Sequence, residues 1–177
     1  MDATGRCSTV HQANTRPAKE YGSERSDCEQ EGCVVKYDFF VAGRWRNRDA
    51  VKEVLDVIRA SGKTAYCFIE NLYEGEKVEF SLDGDIETIM QSLETLPMSD
   101  PFVRKIFDTD ITAEREAENF ILVLPAGISG HVEAGAAYGM GKKCYAVGKP
   151  EKTETLYLIF DEIFPDVDNL KGWLDND

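Results

Sequence analysis

The feature that most constrains this chain is an alternation of short apolar runs with helical periodicities, each junction marked by a glycine, a proline or a capping residue. Residues 34–42 form a run rich in β-branched and aromatic side chains that stops at Gly43. Asp49 can cap the segment that follows, in which Val51, Val54, Leu55 and Ile58 recur at helical spacing until Gly62. Residues 64–69 return to a buried-strand pattern. Strand, helix, strand is the rhythm of a parallel sheet, because parallel neighbours need a crossover long enough to hold a helix.

The same rhythm continues towards the C-terminus. Residues 70–100 are less regular: Ile86, Ile89, Met90 and Leu93 suit a short helix, closed off by Pro97 and Pro101. Phe102, Ile106, Ile111 and Ala117 fit a longer helical stretch ending near Glu118. Residues 120–124 are apolar but too few for a buried helix, so they predict a third strand that turns at Pro125 and Gly127. A helix over 132–140, a fourth strand over 143–147, a helix carrying Leu156, Tyr157, Ile159 and Phe160, and a short edge strand at Ile163 and Phe164 follow. Asp168 is placed to cap a last helix with Leu170, Trp173 and Leu174. The expected fold is α/β: an open, doubly wound, flavodoxin-like parallel sheet of about five strands with helices on both faces. Such sheets bind ligands beyond the carboxyl ends of their strands, which points to the loops after Ala42, Ile69 and Leu124.

Composition narrows the chemistry. Residues 1–34 hold hardly an aliphatic side chain and predict a flexible polar tail ahead of one domain over 35–177. The formal charge of −13 repels a phosphate backbone, so no nucleic-acid polymer is expected as partner, whereas a small anion can be held by a local group of arginines. Cys7, Cys28, Cys33, Cys67 and Cys144 are odd in number and lack C-x-x-C spacing, as expected of reduced thiols. With two histidines a zinc site would need an unusual ligand set, so no metal site is expected. No apolar run reaches the ~18–20 residues of a membrane span and the N-terminus has no hydrophobic signal core, which predicts a soluble, cytoplasmic protein with no membrane partner.

The chemistry concentrates between residues 124 and 143, where a strand runs into a loop of small residues and then a helix. Glu133 is expected in the first turn of that helix, where the positive end of the helix dipole favours an ionised carboxylate. An ionised carboxylate beside an electrophilic carbon is suited to covalent catalysis, although first-turn glutamates also serve simply to complement the dipole. Gly127 and Gly130 are candidates to let a ligand approach the backbone closely.

These residues resemble the nucleoside 2-deoxyribosyltransferase superfamily, which includes 2'-deoxynucleoside 5'-monophosphate N-hydrolases. In that superfamily a glutamate in a small-residue context, followed by G-x-A and a Gly-Lys turn, attacks the anomeric carbon. Glu133, Gly135, Ala137, Gly141 and Lys142 match the pattern. Residues 40–45, with Ala42, Gly43 and Arg44, look like the opening aromatic-x-Ala-Gly loop of the family, and Asp110 corresponds to an acid that helps position or protonate the base. The likeness runs with gaps over residues 37–174. It implies N-glycosidic cleavage or base exchange on a small nucleoside or nucleotide through a glycosyl ester on Glu133, and a homodimer or larger homo-oligomer. The reaction implied by the resemblance requires no cofactor. Two positions depart from the pattern. The family's strand tyrosine falls on Phe39 or Phe40, and its second acid falls within 127–129. Ser129 and His131 are what this chain offers in their place, and His131 is a candidate to orient Glu133 or touch the ligand.

Arg44, Arg46 and Arg48 follow the first strand and can bind a phosphate, or pair with the abundant surface acids. Trp45, Tyr66, Phe68 and Tyr73 can stack a base or belong to the core, and Lys142 and Lys143 read as a solvated turn. The alternatives to N-glycosyl transfer or hydrolysis on a nucleoside are cleavage of NAD, as in Toll/interleukin-receptor-like domains, and a nucleotide sensor without catalysis.

Overall fold

A computed structural model describes residues 35–70 and 95–176. The expected tail over 1–34, the expected helix over 86–93 and Tyr73 lie outside the described residues. Strands β1 (Tyr37–Ala42), β2 (Ala65–Cys67), β3 (Ala117–Val123), β4 (Lys143–Val147) and β5 (Glu162–Phe164) form a five-stranded sheet in the order β2-β1-β3-β4-β5. Every pairing is parallel, as the βαβ rhythm requires. The order reverses between β1 and β3, and the cleft beyond their carboxyl ends is where such a sheet opens to ligands.

Strand alternation divides the interior into two layers. Phe39, Val41, Ile121, Val123 and Val147 face a layer of large aliphatics supplied by α1 (Arg48–Ala60) and α4 (Val167–Leu174), among them Val51, Leu55, Ile58, Leu170 and Leu174. Phe40, Ala42, Phe120, Leu122 and Ala146 face the other way, against α2 (Pro101–Glu116) and α3 (Ile128–Gly139), where the filling is mostly alanine: Ala113, Ala134 and Ala137. Fully burying a Leu, Val or Phe contributes about 1.5–3 kcal/mol, so the helices of the first layer contribute more apolar stabilisation than the alanines of the second. The second layer gives closeness instead, setting α3 tightly on the sheet.

Helix boundaries follow local hydrogen bonding more than periodicity. Asp49 is not the cap of α1. Asn47 occupies that position without a side-chain cap bond, and its Nδ2 donates to the Leu124 carbonyl at 3.1 Å, tying the β1–α1 loop to the end of β3. Likewise Asp166 rather than Asp168 caps α4, accepting from the Asn169 amide at 3.0 Å. Asp100 caps α2 ahead of Pro101, which stands at a first-turn position where no amide is needed. The segment expected as a helix around Leu156 is a 3-10 turn over Thr155–Ile159. Its Leu156 and Leu158 point to solvent, so it lacks the buried stripe that a longer helix would rest on. Among the described residues no helix is long and apolar enough to cross a membrane.

Candidate active site

Helix α3 begins at Ile128, four residues before the apolar pattern suggests, because Gly127 adopts an extended backbone and serves as its N-cap. Glu133 therefore lies in the second turn rather than the first. The dipole effect fades within one turn, and burial dominates instead. The Glu133 carboxyl is pushed up to about 8, by desolvation first and then by the negative charges of Asp110 and Glu114. The expectation of a carboxylate held ionised by the helix terminus is corrected: burial and the two neighbouring acids push this carboxyl up instead.

Asp110 and Glu114 lie one turn apart on α2, the helix packed beside α3. Asp110 accepts a hydrogen bond from the Tyr66 hydroxyl at 2.5 Å. Tyr66 belongs to β2, directly across from Phe40 on β1, and the two rings stack with centroids 5.3 Å apart. Phe40, not Phe39, thus faces the α2–α3 layer, and the neighbouring strand brings a phenolic hydroxyl to that side of the sheet. Sequence reasoning passed over this hydroxyl because it sought it on β1; the cross-strand parity of Tyr66 carries the signal. Cys67 ends β2 next to the same group. Burial raises its thiol to about 12, with Glu70, Glu133 and Asp110 adding to the shift, which leaves it unreactive as a nucleophile.

On the opposite flank of α3 a cavity of about 590 Å³ opens beside Arg44, His131, Lys149, Lys152 and Tyr157. Neither Glu133 nor Asp110 lines it, although Ala134, adjacent to Glu133 in the helix, does. His131 does not orient Glu133. Its Nδ1 bonds the Gly127 carbonyl at 2.7 Å, and its Nε2 meets the Tyr157 hydroxyl at 2.8 Å with the rings stacked. A carbonyl only accepts, so Nδ1 is the donor in the bond to Gly127. Of the three arginines, Arg44 borders the cavity, while Arg48 stands 4.0 Å from Asp49. Lys152 is engaged by Glu154 at 2.8 Å.

Among the remaining predicted contacts, Ala42, Gly43 and Gly130 pack in the interior, and Gly127 and Ser129 do not. Ala42 is fully buried. A Cβ on Gly43 would lie 2.5 Å from Val51 Cγ2, and one on Gly130 would lie 2.9 Å from Leu122 Cδ1, so these glycines admit helices rather than a ligand. Gly127 is open, with Arg44 Cβ the nearest atom at 4.0 Å, and Ser129 is exposed on the first turn of α3. Lys142 is no solvated turn residue: its Nζ donates to the carbonyls of Arg115 and Ala117, closing the C-terminus of α2. Among the described residues no group of three or more His, Cys, Asp or Glu side chains is arranged to hold a metal ion.

No family model matches the chain, and no curated protein matches it in sequence. Solved structures do match. A 2-deoxyribosyltransferase from the psychrotolerant bacterium Bacillus psychrosaccharolyticus is 17% identical, with 75% of this chain and 89% of that chain aligned at a TM-score of 0.53. The two share a fold. A CMP N-glycosidase from Clostridium botulinum, 16% identical, aligns over 77% of this chain and 97% of that chain with a TM-score of 0.41. The resemblance read from residues 37–174 therefore has a structural counterpart at the level of the fold.

Proposed function

We propose that the chain cleaves or exchanges the N-glycosidic bond of a small nucleoside or nucleotide, with Glu133 as nucleophile and Asp110 as the acid that protonates the departing base. The observation that carries this reading is the Glu133 carboxyl of α3, pushed up by burial and by the charge of Asp110 on the neighbouring α2, with the Tyr66 hydroxyl bonded to Asp110 at 2.5 Å. A fold also used by a 2-deoxyribosyltransferase supports it by analogy.

The raised Glu133 carboxyl fits a cycle in which the pair shares one proton. With the proton on Asp110, Glu133 is ionised and attacks C1' as the C1'–N bond breaks. Asp110 gives its proton to the base nitrogen, leaving a glycosyl ester and an Asp110 carboxylate. Water then attacks C1', Asp110 accepts its proton, and Glu133 departs as a carboxylate, so the pair regains its single proton. A second base in place of water gives transfer. The two-step logic is that of retaining glycosidases, with a nitrogen heterocycle as leaving group.

Arg44, the open Gly127 and the lysines beside the cavity favour a monophosphate over a free nucleoside, since a guanidinium and a helix N-terminus both suit an anion. The exposed apolar side chains of Ile128, Val132 and Tyr138 on α3, and of Leu156 and Leu158 on the 3-10 turn, suit burial against a second copy of the chain. Light scattering on the full chain tests that assembly.

The decisive assay is base release over nucleosides, nucleoside monophosphates and NAD, with Glu133→Gln as control. The amide cannot form the ester, so kcat should fall by several orders of magnitude while ligand affinity persists. Base release by Glu133→Gln at a near wild-type rate overturns the mechanism. Ligand binding without base release by the wild-type chain would instead identify a sensor.

A further inference from the structure

Glu114 is the buried titratable group that the reaction above does not use. Its residue is 1% exposed, and neither carboxyl oxygen has a hydrogen-bond partner among the described residues. Leaving a buried carboxyl unpaired is costly, and a helix position facing an alanine-rich layer would ordinarily take an aliphatic side chain. Its position is not arbitrary. Glu114 is four residues beyond Asp110 on α2, and α2 packs against the helix that carries Glu133. The charges of Asp110 and Arg115 on its own helix and of Lys142 in the turn after α3 act on it, and its own charge acts on Glu133 of α3.

We propose that Glu114 is a positioning residue for the proposed reaction: its charge decides on which carboxyl of the Asp110–Glu133 pair the shared proton rests, and so the pH at which Glu133 becomes a nucleophile. The inference rests on the Glu133 reading. The mechanism is Coulombic and needs no contact with substrate. When Glu114 is ionised, a third negative charge in a poorly solvated space disfavours ionisation of Glu133, and the proton stays there. When Glu114 is neutral, Glu133 sheds its proton more readily. Burial brings the Glu114 carboxyl up to about 7, against the opposing pull of Lys142 and Arg115, so its charge changes within the neutral range. Lys142 thereby has a second part beyond closing α2: its ammonium keeps Glu114 from becoming permanently neutral.

The test follows the Glu133 carboxyl by carbon-13 NMR titration in the full chain carrying labelled glutamate, in wild type, Glu114→Gln and Glu114→Leu. Glu133→Gln identifies the resonance. Gln keeps the shape without charge, and Leu replaces the unpaired carboxyl by an apolar group that the layer can pack, so at least one folded variant is secured. Both should lower the Glu133 midpoint by about one pH unit. The acid limb of the pH–rate profile for base release should move in the same direction, with the gain in kcat/KM confined to pH 7 and above, where wild-type Glu114 carries its charge, while Glu114→Asp, which keeps the charge, should shift it less. An unmoved Glu133 midpoint in the folded Gln and Leu variants overturns the proposal. The NMR titration does not depend on turnover. If Glu133→Gln retains base release, the nucleophile reading fails, and the Glu133 midpoint still reports on Glu114.

Discussion

Replacing Glu133 by glutamine should make the protein more stable, and the gain should grow with pH. The carboxyl titrates at about 8 in the folded chain against an ordinary value of 4.5. Between those values the folded state holds a proton that the unfolded chain has lost. Stability therefore falls as pH rises through that window, and the full penalty is in place above pH 8. At about 1.4 kcal/mol per unit, the ceiling is on the order of 5 kcal/mol, of which roughly 3 are felt at pH 7 and about 1 at pH 5. Glutamine does not titrate and is nearly isosteric. The stability difference between variant and wild type should then widen by about 2 kcal/mol from pH 5 to pH 7, or roughly 4–8 °C in Tm for a domain of this size. Relief of Glu114 acts in the same direction. Thermal unfolding of both proteins at pH 5, 7 and 9 measures it directly. A difference that stays flat over that range, or a variant less stable than wild type at pH 9, would refute the burial of this carboxyl as the source of its shift. The expected pattern is that of a buried carboxyl kept at a cost to folding, as the proposed role of Glu133 would require.

Arg44→Ala should raise KM for monophosphates far more than for nucleosides, because a charged hydrogen bond is worth about 1.5–3 kcal/mol; equal losses on both would return Arg44 to the surface. Tyr66→Phe removes the hydroxyl on Asp110 and should lower kcat about 10–100-fold in base release with little change in Tm. Gly130→Ala should destabilise the fold by about 1–3 kcal/mol, read by denaturant unfolding, since the new methyl meets Leu122 Cδ1 at 2.9 Å. Lys142→Met should lose about 1–2 kcal/mol of stability by freeing the carbonyls of Arg115 and Ala117.

The strand and crossover pattern was legible because burial on both faces writes parallel strands as continuous apolar runs, as in residues 37–42 and 117–123. Helix starts were less so. Ile128 and Ser129 are exposed and carry no periodic signal, so the extra turn that moves Glu133 away from the helix terminus left no mark in the hydrophobic pattern. Asp110 and Glu133 were linked through resemblance alone, since spacing cannot reveal that the helices carrying them, α2 and α3, are neighbours. Tyr66 was visible as an aromatic strand residue, and its link to Asp110 needed the β1–β2 register. Glu114 was the least legible: a glutamate among Arg115 and Glu116 reads as solvated surface until α2 is seen to turn that position inward.

The unequal filling of the two layers has a consequence for how this chain can change over generations. On the α1–α4 side, leucine, isoleucine and valine can be exchanged at modest cost, because branched aliphatics of similar volume repack one another. Drift can accumulate there without touching the chemistry. On the α2–α3 side Ala113, Ala134, Ala137 and Gly130 leave little room for enlargement, and each added methylene lifts a helix that bears a carboxyl of the site. Selection for robustness and selection for a new substrate therefore act through opposite faces of one sheet, and a library meant to retune the reaction belongs on the alanine face, with stabilising changes placed beforehand on the aliphatic one.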